Sequence, residues 1–151
     1  IDAVLRIKRF GLSCTAHVIL NLPHDDLLDV IETAKILSAL GVDFVKIHSL
    51  YIVGGTELAR RYARGEFELI SLEEYVQRAV TFMEYLNPEM VIQRLVGKGP
   101  QDNLIFCNWD TSWWKIKDAI KAEFAKRGSY QGYHFQYLNG RALRSQTAEE
   151  Q

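Results

Sequence analysis

The sequence predicts an α/β fold: a partial TIM-type barrel, about half of one, with parallel strands, outer helices, and a C-terminal helix and tail. Three observations predict it. Strand-like stretches alternate with stretches of helical apolar spacing, the order that right-handed βα crossovers turn into a parallel sheet with helices outside. Two of the strands carry ionisable or amide side chains at every second position, so each has one polar face. The strands end at Asn21, Leu50 and Val96, at the C-terminal side where such sheets hold their ligands. Three strands do not close a barrel, but they make the final part of one.

Taken in order, 1–10 has the apolar spacing of a helix already under way (Val4, Ile7, Phe10), stopped by Gly11. A chain that starts inside a helix, with no Met, cap or leader, is expected to be a fragment of a longer protein. A strand over 13–20 ends at Leu22-Pro23, because proline cannot donate into a ladder. His24-Asp25-Asp26 offers an N-cap for a helix to about Leu40, with Leu27, Val30, Ile31, Ala34 and Leu37 as its buried stripe. The next strand is expected over 43–52. Thr56 can cap a helix over 57–64, and Ser71-Leu72-Glu73-Glu74 is a capping box for a helix to about Leu86. Asn87-Pro88 breaks that helix, and 90–96 is a third strand. The last helix runs from 110–112 to Arg127, burying Trp113, Ile116, Ile120 and Phe124. Residues 1–138 therefore read as one unit, and the polar stretch 139–151 as a mobile tail.

Composition narrows the function. With 48% hydrophobic and 25% charged residues the 151-residue chain can build an ordinary core, and a net charge of −1 argues against whole-surface affinity for nucleic acid while leaving room for a local patch. No apolar run is long enough to cross a membrane, and no segment resembles a signal peptide. Cys14 and Cys107 are too few for a disulfide framework and too far apart for a CxxC metal site, so a reduced, cytoplasmic setting is expected.

The candidate site comes from the alternation. Thr15, His17, Ile19 and Asn21 share one face of the first strand, and Lys46 and His48 share one face of the second. Parallel strands are usually apolar on both faces, and inward polar groups are costly unless they are hydrogen-bonded or bind something. His17 could also be an interior histidine satisfied by backbone and water. As a metal pair His17 and His48 lack a third ligand, and no metal site is expected. Gln93 and Arg94 cannot both face inward in a regular strand. Gly97-Lys98-Gly99-Pro100 lacks the spacing of a phosphate-binding Walker loop and reads as a turn. Trp109, Trp113 and Trp114 fit a core at a helix start, and Lys115, Lys117, Lys121, Lys126 and Arg127 fit a solvated helix face.

Several pieces, in order, carry a family likeness: His17-x-Ile19-x-Asn21-Leu22-Pro23; Val45-Lys46-Ile47-His48-x-Leu50; Gly55-Thr56-x-Leu58-Ala59; and Arg94-Leu95-x-Gly97-x-Gly99-Pro100. With Ser71-Leu72-Glu73-Glu74-Tyr75, Trp109 and Tyr130-Gln131-Gly132 falling between and after them, the chain resembles the second half of the YhcC-like radical SAM family. That family is similar in its barrel to the elongator catalytic subunit and other tRNA-modifying radical SAM enzymes. The resemblance implies a parent enzyme that binds S-adenosylmethionine and a [4Fe-4S] cluster and modifies a tRNA base. The family's cluster is held by a CxxxCxxC-type set early in the barrel, which this chain lacks, so the fragment alone is expected to be inactive and to carry neither group.

Residue by residue, the resemblance assigns His17, Ile19, Asn21 and Leu50 to cofactor binding, and Lys46 and His48, the family's Lys-x-His pair, with Arg94 to catalysis. Asn21 and His24 stand where the family usually has glycine, and Asp25 where it has glutamate. Two other functions fit parts of the sequence: a Schiff-base aldolase using Lys46, and a non-catalytic module docking RNA or protein through its last helix. No membrane partner is expected. Exposed sheet edges should make the fragment self-associate.

Overall fold

A computed structural model of the chain describes residues 1–97, 99–100 and 102–138. The expected mobile tail, 139–151, lies outside the described residues. Helix α1 (Asp2–Arg9) leads into β1 (Thr15–Ile19), α2 (Leu27–Ala39) and β2 (Phe44–His48). There follow β3 (Tyr51–Val53), α3 (Glu57–Ala63), α4 (Leu72–Tyr85), β4 (Val91–Arg94), β5 (Leu104–Cys107) and α5 (Trp113–Arg127). Helix α2 starts in a reciprocal capping box. The Asp26 carboxylate accepts from the Leu28 and Asp29 amides, and Asp29 accepts from the Asp26 amide at 2.8 Å. Thr56 and Ser71 cap α3 and α4, as their sequence positions predict.

Strands β1, β2 and β4 form a parallel sheet in the order β1-β2-β4. One face, with Ala16, Val18, Val45, Ile47 and Ile92, packs on α2, α4 and α5. Val30 and Ala34 of α2, Val80 and Phe82 of α4, and Ile116 and Ile120 of α5 meet there in one buried cluster. Burying side chains of this size is worth roughly 1.5–3 kcal/mol each, and it holds the helical layer on one side of the sheet. The other face carries no helix from this set. An α/β half-barrel with parallel strands and outer helices is therefore the architecture.

Four local expectations need correction. The strand expected over 43–52 breaks at Ser49-Leu50: its first part stays in the parallel sheet, and its second, β3, pairs antiparallel with β5. The apolar alternation runs through the break, but the Leu50 amide donates to the Asn21 side chain rather than to a neighbouring strand. Strand β5 was not expected, since Leu104-Ile105-Phe106-Cys107 has no polar alternation to mark it. In α2, Leu27 lies exposed in the first turn. Ser38 is buried at the other end, donating to the Ala34 carbonyl and accepting from the Asn87 amide. In α5, Ile116 and Ile120 are buried but Trp113 and Phe124 are only half-buried. Arg127 is no free surface charge, because it pairs with the buried Glu84 at 3.0 Å and with Glu123 at 2.8 Å.

The β3–β5 ribbon builds a second small core, Ile52, Ala59 and Phe67, beside the sheet. It also delivers the chain from β5 into a turn at the strand ends, where the candidate site lies.

Candidate functional site

The open face of the sheet is read directly from the register. His17 of β1 stands opposite Lys46 of β2, and Lys46 opposite Arg94 of β4, so three basic side chains form one row across three strands. One row nearer the strand ends, Ile19 stands opposite His48. Arg94 joins the row through a β-bulge: Val45 pairs with Ile92 and Lys46 with Arg94, so Gln93 is the extra residue. A regular strand admits only one of Gln93 and Arg94 to this face, and the bulge selects Arg94. His17 and Arg94 are exposed and Lys46 and His48 half-buried, so the face is open rather than a closed interior.

His17 and His48 are in direct contact. Nδ1 of His17 lies 3.1 Å from Nε2 of His48, and the rings stack at 5.2 Å between centroids. One nitrogen of the pair must donate and the other accept, so the contact holds a single proton between two imidazoles. Burial, then the neighbouring charges of His17, Arg94 and Lys46, hold His48 below the ordinary histidine range. All of the charged neighbours acting on it are basic.

The walls of the site come from residues that alternation does not reveal. Gly97, just after β4, lies so near His48 that a Cβ there would sit 2.8 Å from Nδ1. Only glycine lets the backbone approach the ring in this way. The Gly97 carbonyl accepts from the buried Asn108 amide at 2.9 Å, and Asn108 Oδ1 accepts in turn from the Ser49 hydroxyl. Asn108 thus ties the end of β2 to the end of β4. It sits in an unusual turn in which Asn108, Trp109 and Asp110 are all left-handed, with φ of 50°, 52° and 49°. Such conformations cost energy outside glycine and persist only where surroundings enforce them. Here the Trp109 indole donates to the Ile70 carbonyl at 2.7 Å and packs on Tyr75. Asparagine and aspartate tolerate left-handed backbone, so Asn-Trp-Asp was the one sequence sign of this turn.

Asn21 is placed differently from expectation. It is 4% exposed and turned toward β2, where its Oδ1 accepts the Leu50 amide at 2.7 Å. Its Nδ2 is buried without a partner. Leu50 is itself buried beside it, whereas Ile19 lies partly open on the face with the histidines. His24 has φ of 73°, a left-handed position in keeping with the glycine usual there. Beside β4, at the sheet edge next to α5, lies a half-open cavity of about 640 Å³ lined by Ile92, Gln93, Arg94, Leu95, Val96, Trp113 and Lys117.

Among the described residues no three His, Cys, Asp or Glu side chains gather as a metal-binding group, and Cys14 and Cys107 are free cysteines. The residues present therefore do not fit an iron–sulfur cluster, which needs three neighbouring thiolates. For S-adenosylmethionine the fit is better: the orphaned Asn21 amide and the open strand ends beside it offer a buried hydrogen-bond donor to a polar ligand.

The Radical_SAM C-terminal domain family matches residues 42–126, more than half of the chain, and the chain belongs to that family. The uncharacterized protein YtqA of Bacillus subtilis is 36% identical over 138 residues, covering 91% of this chain and 43% of its own length. Protein YhcC of Escherichia coli is 28% identical over 107 residues, covering 71% and 35% respectively. The structure of Elp3 from the archaeon Methanocaldococcus infernus, with an N-terminal deletion, superposes with a TM-score of 0.72 at 18% identity. It covers 86% of this chain and 32% of the Elp3 chain. The chain thus spans less than half the length of these relatives. No helix among the described residues is long and apolar enough to cross a membrane.

Proposed function

We propose that this chain is the C-terminal part of a cytoplasmic radical S-adenosylmethionine enzyme whose parent modifies a tRNA base, and that the part alone is inactive. The observation that carries the reading is the basic row His17–Lys46–Arg94, with His48 above it, on the sheet face that carries no helix among the described residues. In this reading Asn21 Nδ2 donates to the cofactor, with Ile19, His17 and Leu50 shaping its seat. Lys46, His48 and Arg94 face the substrate. When bound and reduced by the cluster, S-adenosylmethionine supplies a carbon radical for hydrogen abstraction; the cluster's own ligands must come from outside the described residues. The chain's contribution is to orient the groups on this face. The Gly97 backbone and the Asn108 brace fix His48, and the His17–His48 contact holds one proton at a defined place.

The rival in which the last helix docks RNA through its basic residues is weakened by pairing: Arg127 serves Glu84, and Lys126 reaches Glu123 at 3.3 Å. The decisive test of the proposal is the parent chain upstream of Ile1. A CxxxCxxC motif there, with S-adenosylmethionine cleavage by the anaerobic parent, supports the enzyme. A parent without such a motif removes the reading. The 151-residue chain supplied anaerobically with iron and sulfide should assemble no stoichiometric cluster; a stable one would overturn the inactivity of the part.

A further inference from the structure

The basic row has a feature that the radical reading alone does not need. Lys46 and Arg94 are opposed in register on adjacent strands, which lie about 4.8 Å apart, with His17 opposite Lys46 on the other side. None of the strand residues on this face, Thr15, His17, Ile19, Phe44, Lys46, His48 and Arg94, is acidic. Among the described residues neither Lys46 nor Arg94 makes an ion pair, whereas Arg60, Arg61, Arg64, Arg78 and Arg127 each pair with a carboxylate. Two cations and an imidazole pair are therefore concentrated on one face with no carboxylate paired to either cation among the described residues. An anion held between them would supply the counter-charge that the strands of this face do not.

We infer that the His17–Lys46–Arg94 row, with His48, binds a phosphate group of the substrate. This inference rests on the reading that the open face is the substrate side. The donor set suits phosphate. Arginine offers a planar fork that can hold two oxygens, lysine a compact charge for a third, and the ring N–H of His17 that lies outside the histidine contact can donate to the anion. The face is open enough to admit a large phosphorylated ligand, since His17 and Arg94 are exposed. Two sources share this chemistry: a phosphodiester of a polynucleotide, and a terminal phosphate of a small molecule.

The test uses the 151-residue chain with isotope-labelled histidine, titrated at constant ionic strength and fixed pH with inorganic phosphate, dimethyl phosphate or acetate. Phosphate should shift the His17 and His48 ring resonances saturably, while acetate leaves them in place. Lys46→Ala and Arg94→Ala should each weaken phosphate binding by about tenfold, the scale of one charge-assisted hydrogen bond. Lys46→Arg should restore it, and unchanged amide spectra would show that the variants fold. Dimethyl phosphate competing with phosphate supports a polynucleotide source, and phosphate alone binding supports a terminal phosphate. No saturable shift in the folded chain, or equal binding of acetate, overturns the assignment. Neither result bears on the family reading, which the parent's cysteine motif decides separately.

Discussion

His24 shows how a single residue can carry both the family pattern and a departure from it. Its φ of 73° is the left-handed conformation that glycine adopts freely and that costs other residues roughly 1–2 kcal/mol. Glycine also gains freedom in the unfolded chain, which offsets part of this. His24→Gly should therefore stabilise the fold by about 0.5–1 kcal/mol, read as a raised urea midpoint with unchanged slope. A lowered midpoint would mean that the imidazole makes a contact worth more than the strain. His48 yields a second expectation. Its pKa is held below the usual 6.5, so the unfolded chain binds this proton more readily than the folded one. Stability should be fully present above pH 6.5 and decline as pH falls from there through the lower folded value. His48→Gln should flatten that limb of a stability–pH profile, whereas an unchanged profile would assign the slope to other groups. At this scale much was legible. Two-residue alternation placed His17, Lys46 and His48 on one face because strand geometry leaves no alternative. The turn of Asn21 toward Leu50 was not legible, since it depends on where β2 ends.

Among the elements, β4 illustrates why a correct strand can still carry an ambiguous face. The sequence located it but could not decide between Gln93 and Arg94. That choice is made by a one-residue bulge against β2, a pairing event with no local signature. The β3–β5 ribbon was hidden for a similar reason: both halves are short, and their partner lies far along the chain. Helices fared better, because caps such as Asp26, Thr56 and Ser71 act within one turn and are written locally. What locks α5 to α4 was again non-local. Arg127 spans the two helices to reach Glu84, which is buried and also accepts from the Ser129 hydroxyl at 2.5 Å. Arg127→Ala would leave that carboxylate with one hydroxyl partner and no charge partner. The expected loss is on the order of 3 kcal/mol, below the upper range for such breaks because Arg127 is itself partly solvated. Equilibrium denaturation measures it directly, and a loss below about 0.5 kcal/mol would place the pair among ordinary surface ion pairs.

For the molecule as a whole, the unfinished sheet is the dominant fact. Within the described residues β1 pairs only with β2 and β4 only with β2, so the sheet has two open edges. Unpaired edges template further pairing, and exposed Phe10 and Leu12 lie just before β1. The 151-residue chain should form dimers or larger species in sedimentation velocity runs at high concentration; a clean monomer would show that the edges are protected in some other way. The half-barrel form was legible from the order of elements. The helix-free face gains meaning from the basic residues it carries, and the account stands or falls on their use. The most direct test is S-adenosylmethionine cleavage by the anaerobically reconstituted parent enzyme, with Lys46→Ala and His48→Ala compared against wild type. Both variants should fold normally and lose at least about a hundredfold in 5′-deoxyadenosine or product formation, the lower end of what a positioned acid–base group contributes. Wild-type turnover in both variants would contradict the account.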